Sequence, residues 1–97
     1  MSLVLRLVRL KVKAGGMAAL RQIYNAQIIP AIRATAGHHS SHLMEGITDQ
    51  NEAVGWIVWD DRESAEAYVN KQAYAGHVAL VRHLLTDEPH IEAYNFV

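Results

Sequence analysis

The chain has 97 residues, 51% of them hydrophobic, and its nine basic and ten acidic residues give a formal net charge of −1. This length predicts one domain over residues 1–97, and the apolar content excludes a disordered chain. The balanced charge argues against nucleic acid or an anionic membrane surface as a partner. The sequence has no cysteine, which excludes disulfides and cysteine-ligated metals and favours a cytoplasmic location. No apolar run is long enough to span a membrane, and we expect no signal peptide.

The first predicted strand runs from Leu3 to about Lys13 and is apolar on both faces. One face carries Leu3, Leu5 and Leu7, and the other carries Val4, Val8, Leu10 and Val12. A strand with one face in water alternates apolar and polar residues, and this strand does not. We therefore expect both of its faces to be covered.

A helical pattern follows the turn at residues 14–16. Apolar residues recur at steps of three and four, at Met17, Leu20, Ile23, Tyr24, Ile28 and Ile32. Pro30 lacks an amide hydrogen, so we expect a kink or break near Ile29. Gly37 is predicted to be a left-handed cap at the end of the helix.

The second and third predicted strands, residues 41–47 and 53–59, form a hairpin around the polar turn at residues 49–51. The third strand is also apolar on both faces. Trp56 and Trp59 are three residues apart, so they should point to opposite faces of the sheet. We expect one tryptophan beneath the helices and the other on the face toward a partner sheet.

A second helical pattern begins after two candidate capping residues, Asp60 and Asp61, with Glu63 placed for a capping box. Its predicted buried side contains Ala65, Tyr68, Val69, Val78, Val81, Leu84 and Leu85. The polar residues 70–72 and Gly76 weaken the helix midway and predict two segments. Residues 86–89 end it, and residues 90–97 form the last predicted strand.

The resulting order, βαββαβ, predicts a ferredoxin-like α+β fold. In this fold two helices pack on one face of a four-stranded antiparallel sheet and leave the other face uncovered. The other face would leave a large apolar surface in water, which a monomer rarely tolerates. A second copy of the chain is the simplest cover. The sequence therefore predicts a homodimer in which two sheets pack face to face, with room for an apolar ligand cavity where they meet.

Several features together carry a family resemblance. They are the strand end at residues 11–15, Ala36-Gly37 after the first helix, Trp59 before the acidic cap, Glu66-Ala67 and Tyr94 in the last strand. With them the chain resembles the dimeric α+β barrel superfamily, and within it the antibiotic biosynthesis monooxygenase (ABM) family. The chain departs from the family's usual pattern in lacking both Pro-Gly pairs and in carrying Tyr68 where a histidine is common.

The resemblance implies a dimer with one ligand cavity per subunit. In enzymatic members it implies oxidation of quinol-like or polyphenolic substrates by oxygen, without metal, flavin or haem. A base in an apolar pocket would ionise the phenol, and the electron-rich anion would then react with oxygen. A small aromatic ligand is therefore the expected partner, and no cofactor is expected.

His77 is the candidate catalytic base, because an imidazole with a pKa near 6.5 suits proton transfer at neutral pH. It lies three residues after Tyr74, so the two share a helix face, and Tyr68 is its candidate hydrogen-bonding partner in catalysis. The candidate substrate-binding residues are Trp56, Trp59, Tyr74 and Arg9. Arg6 and Arg9 lie on opposite strand faces, and the one that faces the cavity would bind an anionic oxygen.

Two other functions remain open from the sequence. One is a non-catalytic small-ligand-binding or stress-associated dimer of the same fold. The other is haem binding or degradation, which ranks lower because the first strand lacks the asparagine that haem-degrading relatives use. No metal site is predicted: His39 and His42 are three apart on a strand and face opposite ways, and His38 and His39 are expected at a helix C-terminus.

Overall fold

The computed structural model describes residues 2–97. In chain order its helices and strands are β1 (Val4–Lys11), α1 (Met17–Ile23), a π-helical segment (Tyr24–Ile28), α2 (Ile29–Arg33), β2 (His38–Glu45), β3 (Glu52–Trp59), α3 (Arg62–Asn70), α4 (Ala73–Val81), a 3-10 helix (Arg82–Leu84) and β4 (His90–Asn95). One helical region follows β1 and a second follows β3, so the order is βαββαβ.

The four strands form one antiparallel sheet in the order β2-β3-β1-β4. The central strands β1 and β3 pair along their whole length, from Val4 opposite Trp59 to Lys11 opposite Glu52. The strands β2 and β4 are the two edges. This topology confirms the predicted ferredoxin-like α+β fold with a four-stranded antiparallel sheet.

The core lies between the helices and one face of the sheet. Residues directly opposite each other in antiparallel strands lie on the same face, so the register separates the two faces. Val4, Val8 and Leu10 of β1 and Ile57 and Trp59 of β3 face the helices and are buried. The helices cover them with Leu20, Tyr24, Ile28, Ile32, Ala65, Tyr68 and Val81.

The first helical region changes from α to π and back to α. The Ile29 N–H group donates to the Tyr24 carbonyl, five residues earlier, where an α-helix would use a carbonyl four residues earlier. Pro30 follows at the start of α2 and has no N–H group, and its ring clashes with the carbonyl of residue 26 in a regular helix. The wider π turn relieves that clash. The predicted break near Ile29 is confirmed.

The second helical region is two helices, as predicted. Of the two candidate caps, Asp61 is the one used: the Ser64 N–H group donates to Asp61 Oδ1 at 2.8 Å. The break lies at Gln72, whose backbone is left-handed with φ of 67°. Gly76 lies inside α4 and does not interrupt it.

The start of β2 differs from the prediction. It begins at His38 and not at residue 41, because the helix before it ends early, at Arg33. His38 and His39 are therefore strand residues, and their predicted place at a helix C-terminus is wrong. A turn joins the elements: the His38 N–H group donates to the Thr35 carbonyl at 3.2 Å. Gly37 is left-handed, with φ of 85°, but serves this turn and not a helix cap.

Three strand ends also lie inside the predicted bounds. The first strand stops at Lys11 and the second at Glu45, and the last stops at Asn95. Beyond Lys11, Val12 forms a single bridge with Leu85. Within residues 2–97, no helix has the length and apolar character needed to cross a bilayer.

The second face of the sheet carries no helix of the described chain, and we call it the open face. Its apolar residues are Leu5, Leu7, Met44, Val54, Trp56, Val58 and Tyr94, assigned by register. Met44 and Tyr94 are 46% and 49% exposed, Leu5, Leu7, Val54 and Trp56 are partly exposed, and Val58 is buried. The open face is the surface for which the sequence predicts a partner subunit.

Candidate functional site

Tyr68 of α3 and His77 of α4 meet between the helices and the sheet. The Tyr68 Oη atom lies 2.8 Å from His77 Nδ1, within hydrogen-bonding distance. In one continuous helix, residues nine apart would lie on opposite sides and about 13 Å apart along the axis. The break at Gln72 is therefore what allows the two side chains to touch. The structure brings together the two residues that the sequence nominated for catalysis.

Aromatic rings surround this pair. The Tyr68 ring centroid lies 5.3 Å from that of Trp59 and 6.1 Å from that of Tyr74. The side chains around the pair are Val8, Leu10, Tyr24, Ile28, Tyr74, Val78 and Val81. The cavity between them is only about 10 Å³, room for about one water molecule. We call these residues, with Tyr68 and His77, the tyrosine–histidine pocket.

Burial sets the protonation of the pocket. It raises the pKa of Tyr24 to about 12, and it also raises the pKa values of Tyr68 and Tyr74 above the usual 10. Burial lowers the pKa of His77 below 6.5 because the imidazolium would lose its hydration. At neutral pH all three tyrosines are therefore protonated and His77 is neutral.

A neutral imidazole has one donor and one acceptor nitrogen. When His77 Nδ1–H donates to Tyr68 Oη, the lone pair of Nε2 is free to take a proton. The reverse arrangement, with Tyr68 donating to Nδ1, leaves the proton on Nε2. The pair can thus exchange between a form that accepts a proton and a form that donates one.

The two arginines of β1 lie on opposite faces, as predicted. Arg9 is on the open face, where its Nη1 atom lies 3.6 Å from Glu52 Oε1 and its Nε atom bonds Glu92. Arg6 is on the helix-covered face, and its Nη2 atom donates to the Ala65 carbonyl at 3.3 Å. The sequence analysis predicted Arg9 as the substrate-binding arginine. In the structure, the arginine that contacts the helices is Arg6.

The two tryptophans also lie on opposite faces. Trp59 is fully buried on the helix-covered face against Tyr68, and its Nε1 atom has no hydrogen-bond partner among residues 2–97. Trp56 lies on the open face beside His42, with ring centroids 5.5 Å apart. Of the predicted substrate-binding residues, Trp59 and Tyr74 therefore border the tyrosine–histidine pocket, whereas Trp56 and Arg9 are remote from it.

The histidines of β2 do not lie together on one face of the sheet. His38 faces the helices, with its Nε2 atom 3.0 Å from Ser41 Oγ, while His42 is on the open face. His39 is exposed at an irregularity in the strand pairing. Within residues 2–97, no three histidine or carboxylate side chains are grouped closely enough to hold a metal ion.

The sequence and the fold were compared with known proteins. The family model described as "Antibiotic biosynthesis monooxygenase" matches residues 3–80. The chain belongs to the ABM family. The matched segment extends from β1 through most of α4 and contains both Tyr68 and His77. The resemblance inferred from the sequence is thus confirmed, whereas a search of curated proteins found no match.

Solved structures share the fold of this ABM-family chain over its whole length. A candidate antibiotic biosynthesis monooxygenase from Bordetella bronchiseptica is 16% identical, with a TM-score of 0.85 and coverage of 100% of this chain and 99% of the other. Rv0793 from Mycobacterium tuberculosis is 24% identical, with a TM-score of 0.81 and coverage of 99% and 96%. NE2512 from Nitrosomonas europaea, of unknown function, is 25% identical, with a TM-score of 0.82 and coverage of 100% and 91%.

Tyr24 and Gly55 are site residues that sequence reasoning did not single out for this ABM-family protein. A Cβ atom on Gly55 would lie 2.2 Å from Tyr24 Oη, so the hydroxyl occupies the space above the glycine. The helical spacing placed Tyr24 only in the predicted core. A glycine within an otherwise apolar strand is the one signal that indicates close approach of another group.

Proposed function

We propose that this protein is a cofactor-independent monooxygenase that oxidises a small aromatic or quinol substrate with O2. The observation that carries the proposal is the Tyr68–His77 pair, a neutral imidazole hydrogen-bonded to a tyrosine in a closed aromatic pocket. Membership of the ABM family and the matched structure from Bordetella bronchiseptica support the same reaction class.

In the proposed reaction His77 Nε2 takes the proton of the substrate hydroxyl, while Nδ1–H remains bonded to Tyr68 Oη. Loss of this proton makes the ring electron-rich, and the ring is then the reductant for O2. A new C–O bond forms between a ring carbon and oxygen to give a peroxide anion, which takes the proton back from His77 Nε2 and becomes a hydroperoxide. This loses water as its O–O bond breaks and the ring C–H proton departs, leaving a quinone carbonyl. One oxygen atom enters the product and the other leaves as water.

The residues of the pocket have simple roles in this scheme. His77 is the base, and Tyr68 is a positioning residue that holds the imidazole tautomer. Trp59 and Tyr74 lie beside Tyr68 and limit the pocket to flat rings. When substrate fills the pocket, its apolar walls would strengthen the hydrogen bonds and shield the hydroperoxide from water.

Substrate needs more room than the free protein offers. The cavity of about 10 Å³ is far below the hundreds of cubic ångströms of a typical ligand pocket. We propose that α4 moves about the break at Gln72 to admit a ring. His77, Val78 and Val81 all belong to α4, so its movement opens one whole wall of the pocket.

We also propose that the functional unit is a homodimer of single-domain subunits, formed through the open face. The support is the apolar character of this face, including Leu7 opposite Trp56 at the centre of the sheet. Packing two such faces would remove a surface of the kind that soluble monomers rarely expose. The pockets then lie on the outer sides of the paired sheets.

Oxygen uptake tests the proposed reaction. Wild-type protein should consume O2 with at least one member of a panel of naphthols and naphthoquinols, with a product that contains one atom from 18O2. His77→Gln should lower kcat/KM by about 10²–10⁴-fold, the usual contribution of a general base. His83→Gln, at an exposed histidine just beyond α4, is the matched control and should retain activity.

Two results would contradict the reaction. Turnover in His77→Gln equal to that of wild type would remove the base from the mechanism. Binding of the panel compounds by wild type without O2 uptake would indicate the non-catalytic ligand-binding dimer that the sequence left open.

A further inference from the structure

A cleft beside the tyrosine–histidine pocket contains an arginine that has no carboxylate partner among residues 2–97. The cleft has a volume of about 280 Å³, near the lower end for ligand pockets. It is lined by Val4, Arg6, Arg62, Ala65, Glu66, Ala93, Tyr94 and Asn95. We call it the Arg6 cleft.

The charge of Arg6 is unbalanced. Among residues 2–97, the arginines in ion pairs are Arg9, Arg21, Arg62 and Arg82, and Arg6 is not one of them. Its one hydrogen bond is from Nη2 to the Ala65 carbonyl, and its Nε atom is buried without an acceptor. Partly buried guanidinium groups normally have an anionic partner, because desolvating an unpaired charge is costly.

The other charges of the cleft do not supply that partner. Glu66 is bonded to Arg62, with Arg62 Nε 3.1 Å from Glu66 Oε1, so these two cancel. The lining therefore has a net charge of about +1 from Arg6 alone, by simple charge counting. An anionic oxygen in the cleft would balance the charge of the guanidinium.

The Arg6 cleft adjoins the tyrosine–histidine pocket. On the helix-covered face of β1, Arg6 lies between Val4, which lines the cleft, and Val8, which lines the pocket. Alternate residues of a strand are about 7 Å apart. On α3, Ala65 and Tyr68 are three residues apart, about one helical turn. A two-ring acid with its hydroxyl and carboxylate at opposite ends therefore has a length suited to reach from one site to the other.

We propose that Arg6 binds a carboxylate of the substrate, so that the natural substrate is an aromatic hydroxy acid. Its hydroxyl-bearing ring occupies the tyrosine–histidine pocket, and its carboxylate forms a charge-assisted pair with the guanidinium. Arg6 thereby selects hydroxy acids over neutral phenols of the same size. This inference rests on the proposed function for the position of the substrate ring. It does not require that the protein oxidises the bound molecule.

A pair of binding probes tests it, namely 6-hydroxy-2-naphthoate, whose hydroxyl and carboxylate lie at opposite ends of the ring system, and its neutral counterpart 2-naphthol, both measured by isothermal titration calorimetry under anaerobic conditions that prevent turnover. Arg6→Gln should weaken binding of the hydroxynaphthoate by about 10–100-fold, the range for hydrogen bonds to charged groups. Binding of 2-naphthol should change less than about threefold, because it has no carboxylate for Arg6 to bind. Arg6→Lys keeps a positive charge and should retain part of the preference.

Arg21→Gln is the matched control, since it removes the same charge from the molecule. Arg21 bonds Glu45 on the β2 edge of the sheet, opposite the β4 edge that lines the cleft. It should leave both affinities unchanged. Equal weakening of both probes in Arg6→Gln, or no weakening of either, would overturn the inference.

Thermal unfolding of a second variant gives an independent test. Without ligand, Arg6→Met should have a Tm equal to or above that of wild type, because it removes an unpaired charge from a partly buried position. Hydroxynaphthoate should raise the Tm of wild type and not that of Arg6→Met.

A large loss of Tm in ligand-free Arg6→Met would show that Arg6 has a structural partner, such as a carboxylate of a second subunit, and would also overturn the inference. Loss of O2 uptake with intact carboxylate selectivity would instead overturn only the proposed reaction.

Discussion

His77 is a group whose ionisation links the pocket to pH. Its pKa is lowered below 6.5 by burial, so the folded protein disfavours the imidazolium. A general base must be neutral to accept a proton, and activity should therefore fall as the pH drops through this lowered pKa. We predict that the acid limb of kcat/KM has its midpoint below pH 6.5.

The same shift affects stability. The unfolded chain binds the His77 proton more readily, so the contribution of His77 is fully present above pH 6.5 and is lost as the pH falls toward the lowered pKa. His77→Gln should reduce the acid sensitivity of the free energy of unfolding, measured by urea denaturation, whereas His83→Gln should not. For catalysis, an acid limb of kcat/KM centred above pH 6.5 would show that His77 is not the titrating base.

Gly55 makes room for the Tyr24 hydroxyl. A methyl group there would lie 2.2 Å from Tyr24 Oη, so Gly55→Ala should cost about 1–3 kcal/mol of stability, as other overpacked cores do. Removing the hydroxyl relieves the clash, and Gly55→Ala should therefore cost clearly less in a Tyr24→Phe background. Chemical denaturation of the four proteins gives the coupling. Equal costs in both backgrounds would refute the assigned contact.

Single residues of the site were partly predictable from sequence. The helical spacing identified His77, Tyr68 and Tyr74, and strand alternation separated Trp56 from Trp59. Alternation also separated Arg6 from Arg9, but it does not say which face the helices cover when both faces are apolar. Arg9 was predicted to be the substrate-binding arginine, and the structure places it on the open face, whereas Arg6 lies on the helix-covered face.

At the scale of elements, the break between α3 and α4 creates the site. Gln72 adopts a left-handed backbone, which costs a residue with a side chain about 1–2 kcal/mol and glycine little. Gln72→Gly should therefore raise the free energy of unfolding by about 0.5–1 kcal/mol after the entropic cost of glycine. Gln72→Ala, which keeps the strain, is the control and should differ little from wild type.

Thermal or urea unfolding measures this prediction. A loss of stability in Gln72→Gly would mean that the glutamine side chain stabilises the break. The left-handed backbone at Gln72 would then not be a net cost to the folded state.

Elements were more predictable than their ends. Apolar periodicity and Pro30 indicated the first helix and its interruption, but not the π turn that absorbs the proline. The helix ended at Arg33, several residues before the glycine expected to cap it, because Gly37 serves the turn into β2. A left-handed glycine fits a helix cap and a β-turn equally well, and only the hydrogen bonds distinguish them.

At the scale of the whole molecule, the open face is the proposed dimer surface. Trp56 lies on it opposite Leu7, so Trp56→Glu would place a charge at the centre of the interface. We predict that wild type sediments as a dimer at micromolar concentration and Trp56→Glu as a monomer. Leu80→Glu, at an exposed leucine of α4, is the control and should remain dimeric. A monomeric wild type would contradict the proposed dimer.

The order of elements was fully predictable, because strands with apolar residues on both faces alternate with helices that have one apolar side. The size of the pocket was not predictable. The size of the pocket depends on how tightly the rings of Tyr24, Tyr68 and Tyr74 pack against each other. Sequence spacing carries no information about this packing.

The location of the ligand is the central claim, and the two tryptophans measure it most directly. The chain has only two, Trp59 against Tyr68 on the helix-covered face and Trp56 on the open face, so a 15N-labelled sample has two indole N–H signals. On titration with 6-hydroxy-2-naphthoate we predict that the Trp59 signal shifts in saturable fashion, while the Trp56 signal stays in place. A shift of Trp56 alone would put the ligand on the open face and contradict the site proposed for His77.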